Sequence, residues 1–479
     1  MRRIAWVVIG LIALSGAAVA SARTAGAVRT YSTPGTRPLQ TGLMDPNLFG
    51  GPQEAQAFSV AGSTGATYVR IAVPWITIAP ATPDTSFDAS DPDSPDYSWS
   101  SLDSEVASAE SAGLTPILDL GQPPKWAFSV PRKGVNGGTP NIADLGQFAH
   151  ALAAHYDGTH GAPAEHVFQV WNEPNLSLDL SPVDPATYRS MVNAVASSMH
   201  GVDPADVVVA GALDPFANKT KSWHTEAPLD YMRALLCLST GAHPHATCKT
   251  RIHFDVWSHH PYTFGGPFGK AKLPGDVSLG DLPKMTSLLR AGVRLHRIVS
   301  SHSVQFWVTE FAWDTNPPRH NALKIGLQAR ATAESLHQMW LSGISLVTWY
   351  LLQDVPGNSP YKSGLYFAGR PIATARAKPT LTAFRFPFVA YLGSGTVSVW
   401  GRDATSAKEV VTIEERHGLG GAWRPVAKVT TNRYGIFEAK LRLAATARDW
   451  LRATAAGSGE SLAFSLTKPT YPHVGPWGT

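Results

Sequence analysis

Charged residues are scarce in this chain, and long apolar runs are nearly absent. Lys, Arg, Asp and Glu make up only 16% of its 479 residues, and the formal net charge is +4. No cluster of lysines and arginines alternates with aromatic residues to form a basic strip, so nucleic acid is not expected as a partner. Beyond the N-terminus, no apolar run is long enough to span a bilayer as a helix. The composition therefore indicates neither a nucleic-acid-binding protein nor a membrane protein with several spans.

The one substantial apolar run lies at the N-terminus and is typical of a secretory signal. Two arginines follow the first methionine, residues 4–14 are apolar, and small residues at 20–22 offer a cleavage site. A permanent anchor is the alternative, but the run is short for a bilayer span. We therefore expect residues 1–22 to be removed and the mature protein to be secreted, with no membrane attachment after cleavage.

Cysteine is also nearly absent, since the chain has only Cys237 and Cys248. In an oxidising compartment, two cysteines this close in sequence are expected to form a disulfide. His243 and His245 lie between them and leave a zinc site as the alternative. The cysteines, however, lack the tight two-residue spacing of common structural zinc sites. We predict a surface loop closed by a disulfide, and we expect no metal site and no cofactor.

Three common catalytic motifs are missing. The chain has no Gly-x-Ser-x-Gly nucleophile elbow, no His-Glu-x-x-His zinc motif and no glycine-rich phosphate loop. Serine esterases, zinc proteases and nucleotide enzymes therefore have no support in the sequence.

Short apolar runs do recur, and amphipathic stretches separate them. This alternation indicates parallel strands joined by crossover helices, and eight such units over about 350 residues predict a (β/α)8 TIM barrel. The predicted strands cover residues 42–47, 68–74, 116–121, 167–172, 207–211, 254–258, 305–310 and 346–350. The predicted helices include 143–156, 186–199, 282–299, 323–341 and 379–391, the last of which Pro387 should kink or shorten.

From about residue 396 the pattern changes to period-two runs between Gly, Asn and Ser turns. We predict a barrel domain at 23–392, a small antiparallel β-sandwich at 393–468 and a Pro-rich tail at 469–479. The sandwich resembles bacterial immunoglobulin-like accessory modules. It could bind carbohydrate or serve as a spacer that stabilises the barrel. The second interpretation is favoured, because no row of exposed aromatic residues stands out.

Two glutamates leave predicted strands at their C-terminal ends, where barrel enzymes carry their active sites. Glu173 lies in Trp-Asn-Glu-Pro-Asn at 171–175, directly after the fourth strand. Glu310 ends the seventh strand and is followed by Phe-Ala-Trp at 311–313. Two carboxyl groups on opposite sides of a glycosidic bond can protonate the departing oxygen and stabilise the positively charged carbon. The pair therefore predicts glycoside hydrolysis.

These motifs resemble those of clan A glycoside hydrolases. Trp-Asn-Glu-Pro-Asn-Leu at 171–176 is most similar to glycoside hydrolase family 39, with family 5 next. The resemblance implies that Glu173 is the acid/base and Glu310 the nucleophile of a retaining enzyme. By the same match, Asn172 would hydrogen-bond the sugar 2-hydroxyl.

The resemblance extends to further positions around the predicted site. Arg70, in strand two, matches an arginine near the nucleophile, although a purely structural ion pair is the alternative. His260 and Tyr262, after strand six, match a His-x-Tyr pattern whose tyrosine hydroxyl can donate to the nucleophile. The neighbouring His259 can instead be a hydrogen-bonded core residue.

Aromatic rings are expected to line the sugar pocket. Trp349, at the end of strand eight, matches the pocket floor of clan A enzymes, and Trp126 matches a wall after strand three. Trp313 follows the nucleophile. The alternative for these rings is simple packing in the core.

Together these features predict a secreted retaining β-glycosidase that acts on a neutral polysaccharide or oligosaccharide. The 15 tryptophans and 13 tyrosines suit neutral ligands with flat faces, such as sugars. Neither the sugar nor the oligomeric state is indicated. A catalytically silent sugar-binding or cell-wall scaffold protein is the alternative, but loss of activity usually removes a catalytic glutamate, and this chain has both.

Overall fold

The computed structural model describes residues 28–33, 35, 37–404 and 408–475. The predicted signal segment, residues 1–22, lies outside the described residues. Within the described ranges, every helix is too short or too polar to cross a membrane.

Eight parallel strands close into a barrel, in the order β6-β7-β8-β1-β2-β3-β4-β5. The prediction of a (β/α)8 barrel is therefore confirmed. All eight predicted strands are present, and those at 68–74 and 346–350 have the predicted bounds. The strands are β1 Gln40–Met44, β2 Tyr68–Pro74, β3 Thr115–Gly121, β4 Val167–Val170, β5 Val207–Leu213, β6 Val256–His259, β7 Gln305–Phe311 and β8 Leu346–Tyr350.

One main helix follows each barrel strand and covers the outside of the barrel. In the fourth helix the buried residues recur at positions 188, 191, 192, 195, 196 and 199, which is the spacing of one apolar face. The strands are buried on both faces, as parallel strands between a barrel core and a helical layer must be. The helices are α1 Glu54–Ser63, α2 Ser100–Ser111, α3 Ile142–His155, α4 Pro185–Val202, α5 Pro228–Leu235, α6 Leu282–Arg294, α7 Ile325–Leu341 and α8 Pro379–Arg385.

The predicted last helix, 379–391, is wrong in its second half. Helix α8 ends at Arg385, and residues 388–393 form a strand instead. Pro387 explains the break, because proline has no N–H to donate and its ring clashes with the preceding helical turn.

A β-rich domain follows the barrel, as predicted. A three-stranded antiparallel sheet contains β9 Phe388–Gly393, β10 Thr396–Arg402 and β13 Ile436–Leu441. A six-stranded sheet is in contact with it and is built around β11 Val410–His417, β12 Arg424–Thr430 and β14 Asp449–Ala455.

Sequence reasoning did not predict the strands Asp449–Ala455 and Arg29–Ser32 of the six-stranded sheet. The run Asp449–Ala455 has no clear period-two pattern of large apolar residues, yet it lies in the middle of the six-stranded sheet. The strand Arg29–Ser32, near the N-terminus, pairs in parallel with β12, so this sheet draws on both ends of the chain.

The C-terminal tail returns to the barrel. The Tyr471 hydroxyl donates to the Glu334 carboxylate on α7 at 2.5 Å. The ring of His473 stacks on Phe264, which follows β6, with ring centroids 5.5 Å apart. The tail therefore reaches the loops at the C-terminal end of the barrel strands.

Cys237 and Cys248 form the predicted disulfide. The pair closes a loop after α5. Because barrel helices run antiparallel to the strands, the end of α5 lies on the side of the barrel away from the strands' C-terminal ends.

Replacing both cysteines with serine should lower the midpoint of thermal unfolding. In the chain-entropy account, a disulfide that closes a loop this short stabilises the folded protein by about 2 to 3 kcal/mol, and this stabilisation would be lost. Differential scanning calorimetry measures the effect, and Thr240→Ala, an exposed change in the same loop, is the matched control. An unchanged midpoint in the double variant, or two free thiols in the native protein by mass spectrometry, would contradict this expectation.

Candidate active site

Glu173 and Glu310 lie at the same end of the barrel. Glu173 follows β4 by three residues, and Glu310 is the penultimate residue of β7. Each side chain keeps 14% of its surface exposed. Both carboxyl groups are therefore largely desolvated but still reachable by a ligand.

Arg70, on β2, lies at the centre of this site with its side chain only 1% exposed. Its guanidinium donates to Glu310 at 3.0 Å, to Asp119 at 2.6 Å and to the Asn172 side-chain oxygen at 2.8 Å. A fourth contact is made to the Met44 sulfur at 3.2 Å. One buried cation thus fixes side chains from four other parts of the barrel rim.

Glu310 accepts a hydrogen bond on each carboxylate oxygen. Arg70 donates to one oxygen, and the Tyr262 hydroxyl donates to the other at 2.8 Å. Hydrogen bonds from a cation and a hydroxyl favour the ionised form of a carboxyl group. The structure therefore brings two of the predicted site residues, Arg70 and Tyr262, to the Glu310 carboxylate.

Glu173 has a different environment. Burial, the largest cause, and the negative charge of Glu310 raise its pKa to about 8, while Arg70 opposes the shift. Its carboxyl oxygen lies 2.9 Å from Nδ1 of His260. A carboxyl group with this pKa is protonated at neutral pH, so the two glutamates differ in charge although they are the same residue type.

His260 connects Glu173 to Thr309 on β7 through the barrel interior. Burial lowers its pKa to about 3, so the ring is neutral. Its Nε2 lies 3.1 Å from the Thr309 hydroxyl, which in turn lies 2.6 Å from the Ser258 hydroxyl. Nε2 of His259 lies 2.8 Å from the Val277 carbonyl, which fits the interpretation of His259 as a core residue.

The backbone around Glu173 adopts rare conformations. Trp171 and Glu173 have φ values of +71° and +37°, in the left-handed region that ordinary residues seldom occupy. The buried amide of Asn175 holds the next loop, since it donates to the carbonyls of Asp214 and Glu226 at 3.0 and 2.9 Å. Such strained positions persist where the surrounding structure fixes them, and they cluster at functional sites.

Sequence reasoning missed three further carboxyl groups at this rim. Asp119 lies two residues before the end of β3 and also accepts from Gln169 at 2.9 Å. Asp179 hydrogen-bonds with Asn172, and Asp214 directly follows β5. Burial raises the pKa of all three, and for Asp179 and Asp214 the charge of Glu173 adds to the shift. Asp119 and Asp214 could have been found, because each lies at the C-terminal end of a barrel strand.

Two of the rings predicted to contact sugar are buried in the core. Trp349 is 0% exposed and its indole N–H donates to the Ser363 carbonyl at 2.9 Å. Trp313 is 2% exposed and its indole N–H donates to the Ser335 hydroxyl at 2.9 Å. Neither ring presents a face to solvent, so this structure does not support their predicted contact with a sugar.

Tyr350, one residue after Trp349, is better placed as a pocket ring. It is half-buried, and its ring meets Tyr361 edge to face with centroids 5.5 Å apart. After burial, the charge of Glu310 is the largest influence that raises the pKa of both tyrosines. The predicted ring, Trp349, is therefore one residue away from the better-placed ring, Tyr350. Consecutive side chains of a strand point to opposite faces, so this difference of one residue decides which ring can line the pocket.

Trp126 lies after β3, where a pocket wall was predicted, and its contact with a sugar stays a prediction. The Trp126 ring is half-buried, and its indole N–H donates at 2.8 Å to the Pro80 carbonyl in the loop after β2. On the other side of the site, Phe216 after β5 and Phe264 after β6 are in contact, with ring centroids 5.4 Å apart. The tail residue His473 extends this row of rings.

One group with the donor atoms of a metal site lies elsewhere. Ligand atoms of His166, Asp203 and Asp206 lie within 4.8 Å of one another. His166 directly precedes β4, and Asp206 directly precedes β5. This group is therefore at the N-terminal ends of the strands, away from Glu173 and Glu310.

Comparison with known proteins supports the fold. No family model matches the sequence, and no curated protein is similar to it in sequence. Solved structures are similar, however. A monomeric β-xylosidase from Caulobacter crescentus has a TM-score of 0.52 and 14% identity, over 88% of this chain and 98% of that chain.

Two other solved structures agree. A family 39 glycoside hydrolase from Bacteroides cellulosilyticus has a TM-score of 0.50 and 16% identity, over 85% of this chain and 79% of that chain. The chain shares its fold with family 39 enzymes. A glucosidase from Croceicoccus marinus has a TM-score of 0.51 and 12% identity, over 90% of this chain and 98% of that chain.

Replacing Arg70 with methionine should destabilise the protein by roughly 3 to 5 kcal/mol at pH 7, because Asp119 and Glu310 would remain buried without their cation. The loss should shrink as the pH falls, since protonation neutralises the stranded carboxylates. Urea unfolding at pH 7 and pH 4 measures it. The exposed Arg290→Met is the matched control. An Arg70 variant as stable as this control at pH 7 would contradict the central role of the guanidinium.

Proposed function

We propose that the protein is a secreted β-glycoside hydrolase that retains the anomeric configuration of its substrate. The observation that carries the proposal is the unequal environment of two carboxyl groups at one end of the barrel: the pKa of Glu173 is raised to about 8, chiefly by burial, whereas Glu310 accepts hydrogen bonds from Arg70 and Tyr262. An acid and a nucleophile are the two groups that a retaining glycosidase needs. The shared fold with a β-xylosidase and a glucosidase supports this class, and the signal-like N-terminus supports secretion.

Glu173 would act as the general acid and later as the general base. Its pKa of about 8 keeps the proton available at neutral pH. For Glu173 to deliver this proton from its free oxygen, His260 must donate its Nδ1–H to the other oxygen and accept from Thr309 at Nε2. The observed contacts of 2.9 and 3.1 Å allow this arrangement.

Glu310 would attack the anomeric carbon and form the glycosyl-enzyme. Arg70 and Tyr262 orient its two oxygens and hold the negative charge that attack requires. When the bond to the sugar forms, that charge is consumed. Water, activated by the deprotonated Glu173, then releases the sugar with its original configuration.

Asn172 would bind the 2-hydroxyl of the sugar that is cleaved. Its side chain is already oriented, because its oxygen accepts from Arg70 at 2.8 Å and it also hydrogen-bonds Asp179. A contact of this kind accelerates the reaction when it strengthens as the ring flattens towards the transition state.

The substrate we propose is a neutral oligosaccharide or polysaccharide. Five carboxyl groups and one guanidinium surround the site, which disfavours uronic acids through repulsion. Tyr350 and Tyr361 offer rings on the side of Glu310. Phe216, after β5, and Phe264, after β6, offer a second pair of rings in the loops of the same barrel end.

Turnover and stereochemistry test the proposal together. The protein should hydrolyse members of a panel of aryl β-glycosides and neutral β-glycans, and NMR should show the β-anomer as the first product. No turnover on the whole panel would indicate a silent sugar-binding protein instead. An α-anomer formed first would indicate an inverting enzyme.

The two glutamates should fail differently when replaced by alanine. Glu310→Ala should abolish turnover of every substrate, because no covalent intermediate can form. Glu173→Ala should still attack aryl glycosides with good leaving groups, which need no proton, and then stall at the glycosyl-enzyme. Azide, which needs no base to attack, should accelerate its release. Steady-state and burst kinetics with and without azide measure both variants.

The pH profile gives an independent check on the same assignment. In the wild type, kcat/KM should fall as the pH rises through about 8, because Glu173 then loses its proton. Glu173→Gln should lose this basic limb on activated substrates. If Glu173→Ala shows no azide acceleration while Glu310→Ala still forms a trapped adduct, the two roles are assigned wrongly.

A further inference from the structure

Residues 471–475, here called the tail segment, lie between helix α7 and the loop that follows β6. On the helix side, the Tyr471 hydroxyl donates to the carboxylate of Glu334, a residue that is only 1% exposed. On the loop side, the Gly265 N–H donates to the Val474 carbonyl at 3.4 Å. The tail segment is therefore attached to two separate parts of the barrel.

Two aromatic rings and two glycines make the contact between the tail segment and this loop very close. A Cβ added to Gly266, in the loop, would lie 2.3 Å from the Tyr471 ring. A Cβ added to Gly475, in the tail segment, would lie 2.3 Å from the Phe264 ring. Each ring thus lies directly against a glycine backbone, where any larger residue would collide with it. The His473 ring also stacks on Phe264.

The loop held in this way belongs to the candidate active site. It begins with His260, whose Nδ1 lies 2.9 Å from the Glu173 carboxyl group. Two residues later, the buried Tyr262 donates its hydroxyl to Glu310 at 2.8 Å. The run 260–266 therefore contacts both carboxyl groups at its start and the tail segment at its end.

The end of this run has a backbone that needs support from outside. Gly265 and Gly266 have φ values of +77° and +89°, in the left-handed region. Glycine loses more conformational freedom on ordering than any other residue, and here two glycines follow each other. The tail segment covers both of them, since Val474 accepts from the first and the Tyr471 ring lies on the second. It therefore restricts the loop where the chain is most free to move.

We propose that the tail segment is a positioning element of the candidate active site. It fixes the loop after β6 and thereby holds the Tyr262 hydroxyl against Glu310. This inference rests on the proposed function, in which Glu310 is the nucleophile. A shift of about 1 Å in a reacting group can slow a reaction about a hundredfold, so a contact outside the pocket can control the rate.

Removal of the tail segment tests the proposal. A chain that ends at Thr470 should lose about tenfold in kcat on an aryl β-glycoside, with KM nearly unchanged, because the nucleophile is misplaced while the sugar contacts remain. Gly475→Ala should lower kcat in the same way, since its methyl group would push the Phe264 ring aside. Gly420→Ala is the matched control, because no described atom lies within 4 Å of the added Cβ, and it should leave kcat unchanged.

A double-mutant cycle separates positioning from a general loss of stability. Tyr262→Phe removes the hydroxyl through which the tail segment is proposed to act. Truncation after Thr470 should therefore have little further effect on kcat in the Tyr262→Phe background, because coupled residues do not contribute additively. A tail segment with a merely structural role would lower kcat by the same factor in both backgrounds.

Hydrogen exchange provides a readout that does not depend on catalysis. Truncation should accelerate exchange of the backbone amides at 263–266, measured by mass spectrometry, while the amides of β3 keep their wild-type rates. If the wild type hydrolyses no substrate, the proposed function fails, and exchange still decides whether the tail segment holds the loop.

The proposal is overturned if truncation leaves either kcat or exchange at 263–266 unchanged. It is also overturned if truncation and Tyr262→Phe lower kcat independently. Should the truncated chain fail to fold, Gly475→Ala replaces it in every measurement, since this variant adds a single methyl group.

Discussion

The buried guanidinium of Arg70 is the interaction on which the candidate site depends. A charge in the interior is tolerated only when it is paired and hydrogen-bonded, and Arg70 meets this condition through Asp119, Glu310 and Asn172. These partners come from β3, β7 and the turn after β4. The barrel rim is thereby organised around a single side chain, whose planar fork has enough donors to reach all of them.

The same arrangement makes two identical carboxyl groups chemically different. Glu310 accepts hydrogen bonds from Arg70 and Tyr262. Glu173 instead contacts the neutral imidazole of His260, and Arg70 acts on it only through longer-range electrostatic attraction. Burial and the charge of Glu310 raise the pKa of Glu173 by more than the attraction of Arg70 lowers it. The acid therefore depends on its partner, because the negative charge of Glu310 helps to keep the proton on Glu173.

Much of this could be predicted from the sequence. Strand length and spacing indicated all eight barrel strands, and the turn motifs located both glutamates. The failures have physical causes. The pocket ring was assigned to Trp349 rather than Tyr350 because one residue of register reverses the face of a strand. The strand at 388–393 was predicted as helix. It forms a strand by pairing with Thr396–Arg402, and local sequence patterns do not show this pairing. Asp179 was missed because it reaches Asn172 through an irregular loop, which has neither a helical nor a strand-like pattern in the sequence.

The strand Arg29–Ser32 has a consequence for how this protein can be divided. It lies in parallel beside Arg424–Thr430, and the Thr33 side chain adds a bond to the Thr430 carbonyl at 2.8 Å. The first described strand and the last domain thus share one sheet. Transfer of residues 388–475 to another protein would leave β12 without its parallel neighbour at Arg29–Ser32. During synthesis, this pairing cannot form until residues 427–430 have emerged, long after the barrel strands.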